Sequence, residues 1–328
     1  MSESLQIAAL LEMHRDRPIL VTGHRDPDGD CIGSVMAMTR SLRNMGYPAI
    51  PVNRDPIPYR YRFLDPDDMM RSPEDVILER FHLAIVLDSS NLDRLGFDLH
   101  RTFPHLKSVI NVDHHVSNSR FGDVNVVEHK RSAVCEVLCS LLHKLDAPID
   151  PMTANALYTG ISTDTGSFQY EATTADTLRT GADLISLGAD INLVRENVWE
   201  NEPFNRIRVL SRVLDNLKVT ENGRMAWIKI SHAELEHFEL DNGDLETFVD
   251  YPRTIQGVQV ALFFKEIQNG FVKVSIRSKS EVDSNKLAQL FGGGGHKRAA
   301  GCKMTGSLDE VEQNVTERFI RELESNGS

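Results

Sequence analysis

The sequence predicts an α/β protein of two domains, a larger one built on a parallel sheet and a smaller α+β one. Three observations carry that reading. At 328 residues the chain exceeds the size at which one core usually keeps growing, and 41% apolar with 26% charged residues is material for sizeable cores. From residue 1 to about 190, short apolar runs alternate with helical patterns, the mark of a parallel sheet covered on both faces. From about 215 the pattern changes to strand, tight turn and strand, with helices after them.

The strands of the first domain are read from PILVTG at 18–23, YPAIPV at 47–52, LAIVLD at 83–88, SVINVD at 108–113 and DVNVV at 123–127. Helical patterns fall at 33–45, 132–145, 152–161 and 174–187, with Ser132 and Thr174 as expected N-caps and Gly188 as a stop. Residues 191–214 read as helix interrupted near Pro203, linking a domain at 1–190 to one at 215–328. In the second domain RMAWIKI is a strand, and GVQVALFFKEI and FVKVSIRS flank Asn269 and Gly270, a strong hairpin signal. Helices are expected at 284–290 and 308–324, and a catalytic cleft between the two lobes.

Composition excludes several classes. Cys31, Cys135, Cys139 and Cys302 form no CxxC pair, and the helical spacing of Cys135 and Cys139 suits packing inside a helix, so a reducing cytoplasm is expected. The first residues lack a basic stretch followed by an apolar one, and no run approaches the ~18 apolar residues of a membrane span, so neither export nor membrane insertion is expected. A net charge of −12 argues against tracking a long nucleic acid along a basic groove and for a small phosphorylated ligand.

Four acid-and-histidine clusters are read as standing at strand ends: GHRDPDGD at 23–30, LDSS at 87–90, VDHH at 112–115 and TDTG at 163–166. Each has a bland reading. Asp88 could cap a following helix, Asp113 merely closes SVINVD, and Asp164 with Gly166 could be turn residues. Their combination points elsewhere, because open α/β sheets place ligand crevices at the carboxyl ends of their strands. The clusters supply oxygen and nitrogen ligands for a pair of divalent ions, the usual machinery for attack on phosphorus. A tight turn after His24 brings His24, Asp28 and Asp30 into one crevice, with Pro27 and Gly29 shaping it. Asp88 is the expected bridge, and Asp164 with either His114 or His115 completes the second shell. Imidazole and carboxylate ligands without thiolate suit manganese first, then magnesium or iron.

The order HxxPDxD, a strand ending in Asp, Asp-His-His and a downstream DTG resembles the DHH phosphoesterase superfamily. DHHVSN at 113–118, FGDVNVV after it and GISTDTGSF at 160–168 are similar to the subgroup that degrades very short RNAs and removes the 3′-phosphate of pAp. FGGGGHKRAAG at 291–301 resembles the signature of that subgroup's C-terminal domain. The resemblance implies that His24 and Asp28 hold one ion, that Asp88 bridges, and that Asp30, His114 and Asp164 hold the other. It implies that His115 faces the scissile phosphate, stabilising charge or helping the leaving oxygen depart, and that the protein is a homodimer. By composition alone, Gly292 to Gly295 could equally be a hinge or an anion cradle, with donors from His296 and Lys297 or Arg298. The resemblance favours substrate recognition by Gly293, Gly294, Gly295, His296 and Arg277, with Arg253 and Lys279 as weaker candidates.

The expected activity is hydrolysis of short RNA oligonucleotides or linear dinucleotides to nucleoside monophosphates, and of pAp to AMP. The alternatives are a manganese pyrophosphatase, a cyclic dinucleotide phosphodiesterase, a single-strand exonuclease and a nucleotide sensor without turnover. The GGGGH run argues against the first, the short acidic chain against the exonuclease, and the full ligand set against the sensor.

Overall fold

The computed structural model describes every residue except 1, 77, 239–241, 268–269, 280–281, 296 and 326–328. It divides into two units, Met1–Asn201 and Glu202–Ser328.

Unit 1 runs α1 (Glu3–Met13), β1 (Ile19–Thr22), α2 (Gly29–Asn44), β2 (Ala49–Val52), β3 (Leu83–Leu87), α3 (Leu99–Thr102), β4 (Ser108–Asp113), β5 (Val124–Val127), α4 (Val134–Lys144), α5 (Pro151–Asp164), α6 (Ala175–Ser186) and α7 (Ile191–Val194). The five strands form one parallel sheet in the order β2-β1-β3-β4-β5. The continuous apolar runs ILVT and LAIVL sit at its centre because a strand covered on both faces needs no polar side. Alternate residues feed two cores. Ile19, Val21, Leu83, Ile85 and Leu87 pack with Val35 and Met36 of α2 and Leu157 and Ile161 of α5. Leu20, Ala84 and Val86 pack on the other side with Phe81, Leu95, Leu99 and Phe103. Each fully buried Leu or Ile here contributes roughly 1.5–3 kcal/mol over its exposed state. From β1 the chain first adds β2 on one side and later β3 on the other. That reversal opens a crevice at the carboxyl ends of β1 and β3.

The predicted strands and the α/β class are borne out, with three local corrections. Helix α2 begins at Gly29, because the Asp28 carboxylate caps it by accepting from the Asp30 and Cys31 N–H groups. TDTG closes a helix, not a strand, since α5 continues to Asp164. Ser132 does not cap α4; its hydroxyl and N–H both donate to Glu136. The orphan N–H groups at the start of α4 are taken by Asp30, as described below. Thr174 does cap α6, in a reciprocal box with Thr177, and Gly188 follows with φ +103°.

Unit 2 runs α8 (Phe204–Asp215), β6 (Lys218–Val219), β7 (Met225–Ile230), α9 (His232–His237), α10 (Asp250–Arg253), β8 (Val260–Ile267), β9 (Phe271–Ser278), α11 (Ser284–Gln289), β10 (Gly294–Gly295), β11 (Ala299–Thr305) and α12 (Leu308–Ser325). Its sheet has the order β10-β11-β9-β8-β7-β6, with β7 and β8 parallel and the other pairs antiparallel. One face is covered by Val311, Val315, Phe319 and Leu323 of α12, the other by Val209, Leu210 and Val213 of α8. The β8–β9 hairpin is present, with Gly270 at φ +69°; Asn269 lies outside the described residues. Strand β11 was not anticipated, because AAGCKMT lacks the β-branched run that marks a strand. Among the described residues, no helix is long and apolar enough to cross a membrane.

Candidate metal and phosphate site

At the end of β1, His24 is buried, and its Nδ1 lies 2.7 Å from the Arg25 carbonyl oxygen. That bond places the ring proton on Nδ1 and leaves the Nε2 lone pair facing Asp28, 3.7 Å away, and Asp88, 3.3 Å away. His114, beyond β4, is held the same way. Its Nδ1 is 3.2 Å from the Arg131 carbonyl, and its Nε2 faces Asp164 at 3.5 Å and Asp88 at 3.9 Å.

Asp30, in the first turn of α2, is fully buried and accepts from Val134 N–H at 2.5 Å and Cys135 N–H at 2.9 Å. The positive end of α4 therefore steadies this carboxylate, and the carboxylate supplies the cap that Ser132 does not. Asp88 follows β3 with φ +52°, a conformation unfavourable for most side chains. It is buried, and its Oδ1 has no hydrogen-bond partner among the described residues. Asp164 arrives from the carboxyl end of α5, where the helix dipole disfavours an anion.

The crevice thus gathers every unit 1 residue predicted for it. Three sets each have candidate ligand atoms within 4.8 Å of one another: His24, Asp28 and Asp88; Asp30, His114 and Asp164; and Asp88, His114 and His115. Asp88 belongs to the first and the third, and its Oδ1, 3.9 Å from His114 Nε2, also approaches the second. The neighbouring thiol of Cys31 is pushed up by burial and by the charges of Asp88 and Asp28, which favours its protonated form.

Without a cation this cluster is a poor structural device. Burial raises Asp30 to about 7, with the Asp88 charge adding to the effect. Asp164 is pushed up by burial and by its Asp30, Asp28 and Asp88 neighbours. Burial alone would lower His24, but its bonds to Asp28 and Asp88 outweigh that and raise it to about 11. Protons occupy the place of cations. An unpaired carboxylate oxygen, two imidazoles with Nε2 turned inward and converging acids fit divalent ions with oxygen and nitrogen ligands. Because His24, at about 11, and Asp30, at about 7, hold protons at pH 7 that ligands must give up, metal loading should release about one proton or more and tighten as pH rises. Calorimetry of manganese binding in buffers of different ionisation enthalpy checks this; a proton count of zero would contradict it.

Three residues not predicted for the site belong beside it. Asp113 is fully buried; its Oδ1 lies 2.8 Å from His115 Nδ1 and accepts from the His114 N–H. Asn118 donates to the other Asp113 oxygen and, at 3.1 Å, to the Ser89 carbonyl. Asp113 looked like a strand terminus, and the signal that could have found it was Asn118 five residues on. Arg94, after β3, is close enough for its charge to bear on Asp28 and His115.

In unit 2, Arg253 and Arg277 come together at Asp250, at 3.1 Å and 3.9 Å from its Oδ1. Gly292, with φ +70°, turns the chain out of α11, and Gly294 and Gly295 pair with Gly301 and Ala300. A Cβ on Gly293 would overlap the Gly301 carbonyl and Cys302, so this glycine is required by close approach of two backbones. His296 lies outside the described residues.

Comparison with known proteins yields consistent matches. Residues 18–161 match the DHH family, N-terminal domain, and residues 225–325 the DHHA1 domain. The chain is 31% identical over 325 residues to the bifunctional oligoribonuclease and PAP phosphatase NrnA of Thermus thermophilus, covering 98% of this chain and 95% of that protein. An exopolyphosphatase-related protein from Bacteroides fragilis superposes with a TM-score of 0.87 at 24% identity, over 98% of this chain and 97% of that one. RecJ from Thermus thermophilus, in complex with Mn2+, shares the fold at a TM-score of 0.58 and 15% identity, over 98% of this chain and 55% of its own.

Proposed function

The chain belongs to the DHH family, and from that premise we propose that it is a metal-dependent phosphoesterase. Its substrates are short RNA oligonucleotides and linear dinucleotides, hydrolysed to nucleoside monophosphates, and pAp, hydrolysed to AMP. The observation that carries the reading is Asp88 standing between two His/Asp sets, 3.3 Å from His24 Nε2 of one and 3.9 Å from His114 Nε2 of the other, in a chain 31% identical over 325 residues to an oligoribonuclease and PAP phosphatase.

His24 and Asp28 would hold one ion, Asp30, His114 and Asp164 the other, and Asp88 both. Two divalent cations, manganese by the ligand chemistry, supply when bound an activated water and charge stabilisation on the phosphoryl oxygens. The protein's own groups do the rest. The Arg25 and Arg131 carbonyls fix which nitrogen of His24 and His114 is offered. Burial opposes a charge on His115, but the Asp113 bond and the Asp88 charge raise its pKa, which favours the protonated ring that an acid toward the departing oxygen needs. In unit 2, Arg253, Arg277, Gly293, Gly294, Gly295 and His296 would hold a phosphate or terminal nucleotide, with Asp250 orienting the two arginines.

A matched panel tests the substrate class: pAp, linear dinucleotides, a short RNA, a long single strand, a cyclic dinucleotide and pyrophosphate, each with manganese. Turnover of pAp and the short linear species is expected to exceed that of the others by at least about a hundred-fold, given that discrimination by a built polar site reaches roughly 10⁴. Preference for pyrophosphate or the long strand would keep the metal chemistry and overturn the substrate. Silence throughout would revive the sensor.

The reading extends to a homodimer in a reducing cytoplasm. The exposed apolar residues Leu178, Ile185 and Leu187 on and after α6 support the first, and four free cysteines, three of them buried, the second. Sedimentation of the wild type is expected at twice the chain mass, and Leu178→Glu with Ile185→Glu at the chain mass. A monomeric wild type would remove the dimer.

A further inference from the structure

We infer that the end of the unit 1 sheet opposite the acid cluster carries a second anion site, formed by His14, Arg17, His82 and Lys107, that takes a phosphate group. His82 and Asp88 flank β3 at its two ends, about 20 Å apart at ~3.3 Å per residue. Arg17 and Lys107 stand just before β1 and β4, so all of these groups gather at the amino ends of three neighbouring strands. The backbone fixes them in pairs. Arg17 N–H donates to the His14 carbonyl at 3.0 Å, and Lys107 N–H to the His82 carbonyl at 2.9 Å.

The cluster is rich in donors and lacks a counter-charge. Arg17 Nη1 lies 3.1 Å from His82 Nε2, so the guanidinium donates to an imidazole and leaves the His82 proton on Nδ1. His14 is only 5% exposed, and neither of its ring nitrogens has a hydrogen-bond partner among the described residues. Its ring meets that of His82 edge-on, with centroids 5.9 Å apart. Among the described residues none of the four pairs with a carboxylate. Both histidines are lowered by burial and then by the charges of Arg17 and Lys107, as expected of imidazoles beside cations without a counter-ion.

Buried polar groups in folded proteins normally have partners, and His14 has none. In a chain of net charge −12, an uncompensated group of cations needs an explanation. A guanidinium 3.1 Å from one imidazole, a second imidazole ring 5.9 Å from the first and an ammonium close enough for its charge to bear on both rings offer the donors a tetrahedral oxyanion takes. The compactness of the cluster selects a small anion, either inorganic phosphate or the phosphate of a nucleoside monophosphate. The inference stands independently of the activity proposed above.

The test follows the histidine ring resonances of the full-length, magnesium-loaded protein by NMR, with His14→Gln and His82→Gln used for assignment. Titration with sodium phosphate or AMP at constant ionic strength is expected to shift both signals saturably. Arg17→Ser with Lys107→Ser, both exposed and outside the acid cluster, should weaken the midpoint by at least about tenfold, as loss of charge-assisted partners does, with dinucleotide turnover unchanged. A tighter midpoint for AMP assigns a nucleotide, and equal midpoints assign the phosphate alone; both uphold the site. No saturation, an unaltered response in the double variant, or the same shift from sodium chloride would overturn it.

Discussion

Replacing Asp88 by Asn is expected to lower manganese-dependent turnover of a linear dinucleotide by at least about a thousand-fold, while the protein folds and melts in chelator no lower than the wild type. The size follows from the several kcal/mol that a bound cation contributes to transition-state charge, at about 1.4 kcal/mol per tenfold. Asp88 stands between the two proposed ion sites, with Oδ2 3.3 Å from His24 Nε2 of one and Oδ1 3.9 Å from His114 Nε2 of the other. Its loss removes a ligand from both.

The stability half of the expectation separates a functional acid from a structural one. Asp88 is buried, has an unpaired oxygen, sits at φ +52° and adds its charge to those raising Asp30 and Asp164. Such a group costs the apo fold, so a neutral isostere relieves repulsion. Asn is chosen because it tolerates left-handed backbone, whereas Ala would add strain there and blur the result. Turnover within about tenfold of wild type in a folded variant would defeat the shared-ligand assignment. A large drop in melting temperature in chelator would mean that Asp88 holds the crevice together instead.

His24 and Asp88 were legible because apolar runs end on them, and a parallel sheet whose strand order reverses puts such ends at a crevice. Other residues were not legible in the same way. Asp30 reads as one of several loop acids, but its place is set by Val134 and Cys135 N–H groups more than a hundred residues away. That long-range bond also explains the failure of Ser132 as a cap, since local propensity cannot see a carboxylate delivered by tertiary packing. Asp164 was assigned to the right cluster for the wrong local reason, because DTG is a turn signal whether a strand or a helix precedes it. In unit 2, the glycine run gave two nearly even readings, and the structure gives Gly293 a packing reason that composition could not reveal. His14 and His82 carried no signal at all, being separated by most of the first half of the sheet in sequence and joined only at its amino end.

His115→Ala is expected to cut the turnover of dinucleotide by about 10²–10⁴-fold with manganese stoichiometry unchanged, the range usual for loss of a proton-transfer group. The structure commits Nδ1 of the His115 ring. Nδ1 is 2.8 Å from Asp113, a buried carboxylate that also accepts from the His114 N–H and from Asn118. An anchor so well supplied with donors holds the ring's orientation, so that the proposed proton transfer falls to Nε2 and not to Nδ1. The competing geometry is the set Asp88, His114 and His115, in which Nδ1 approaches Asp88 Oδ1 at 3.5 Å and His115 would be a ligand. The shorter Asp113 bond argues against it. A p-nitrophenyl phosphodiester separates the roles, because its leaving group departs without a proton. If His115 is the acid, the alanine variant should lose at least about tenfold less activity on that ester than on the dinucleotide. Equal losses on both would assign His115 to phosphoryl charge stabilisation, and loss of manganese would make it a ligand and place the third set, not Asp113, in control of its ring.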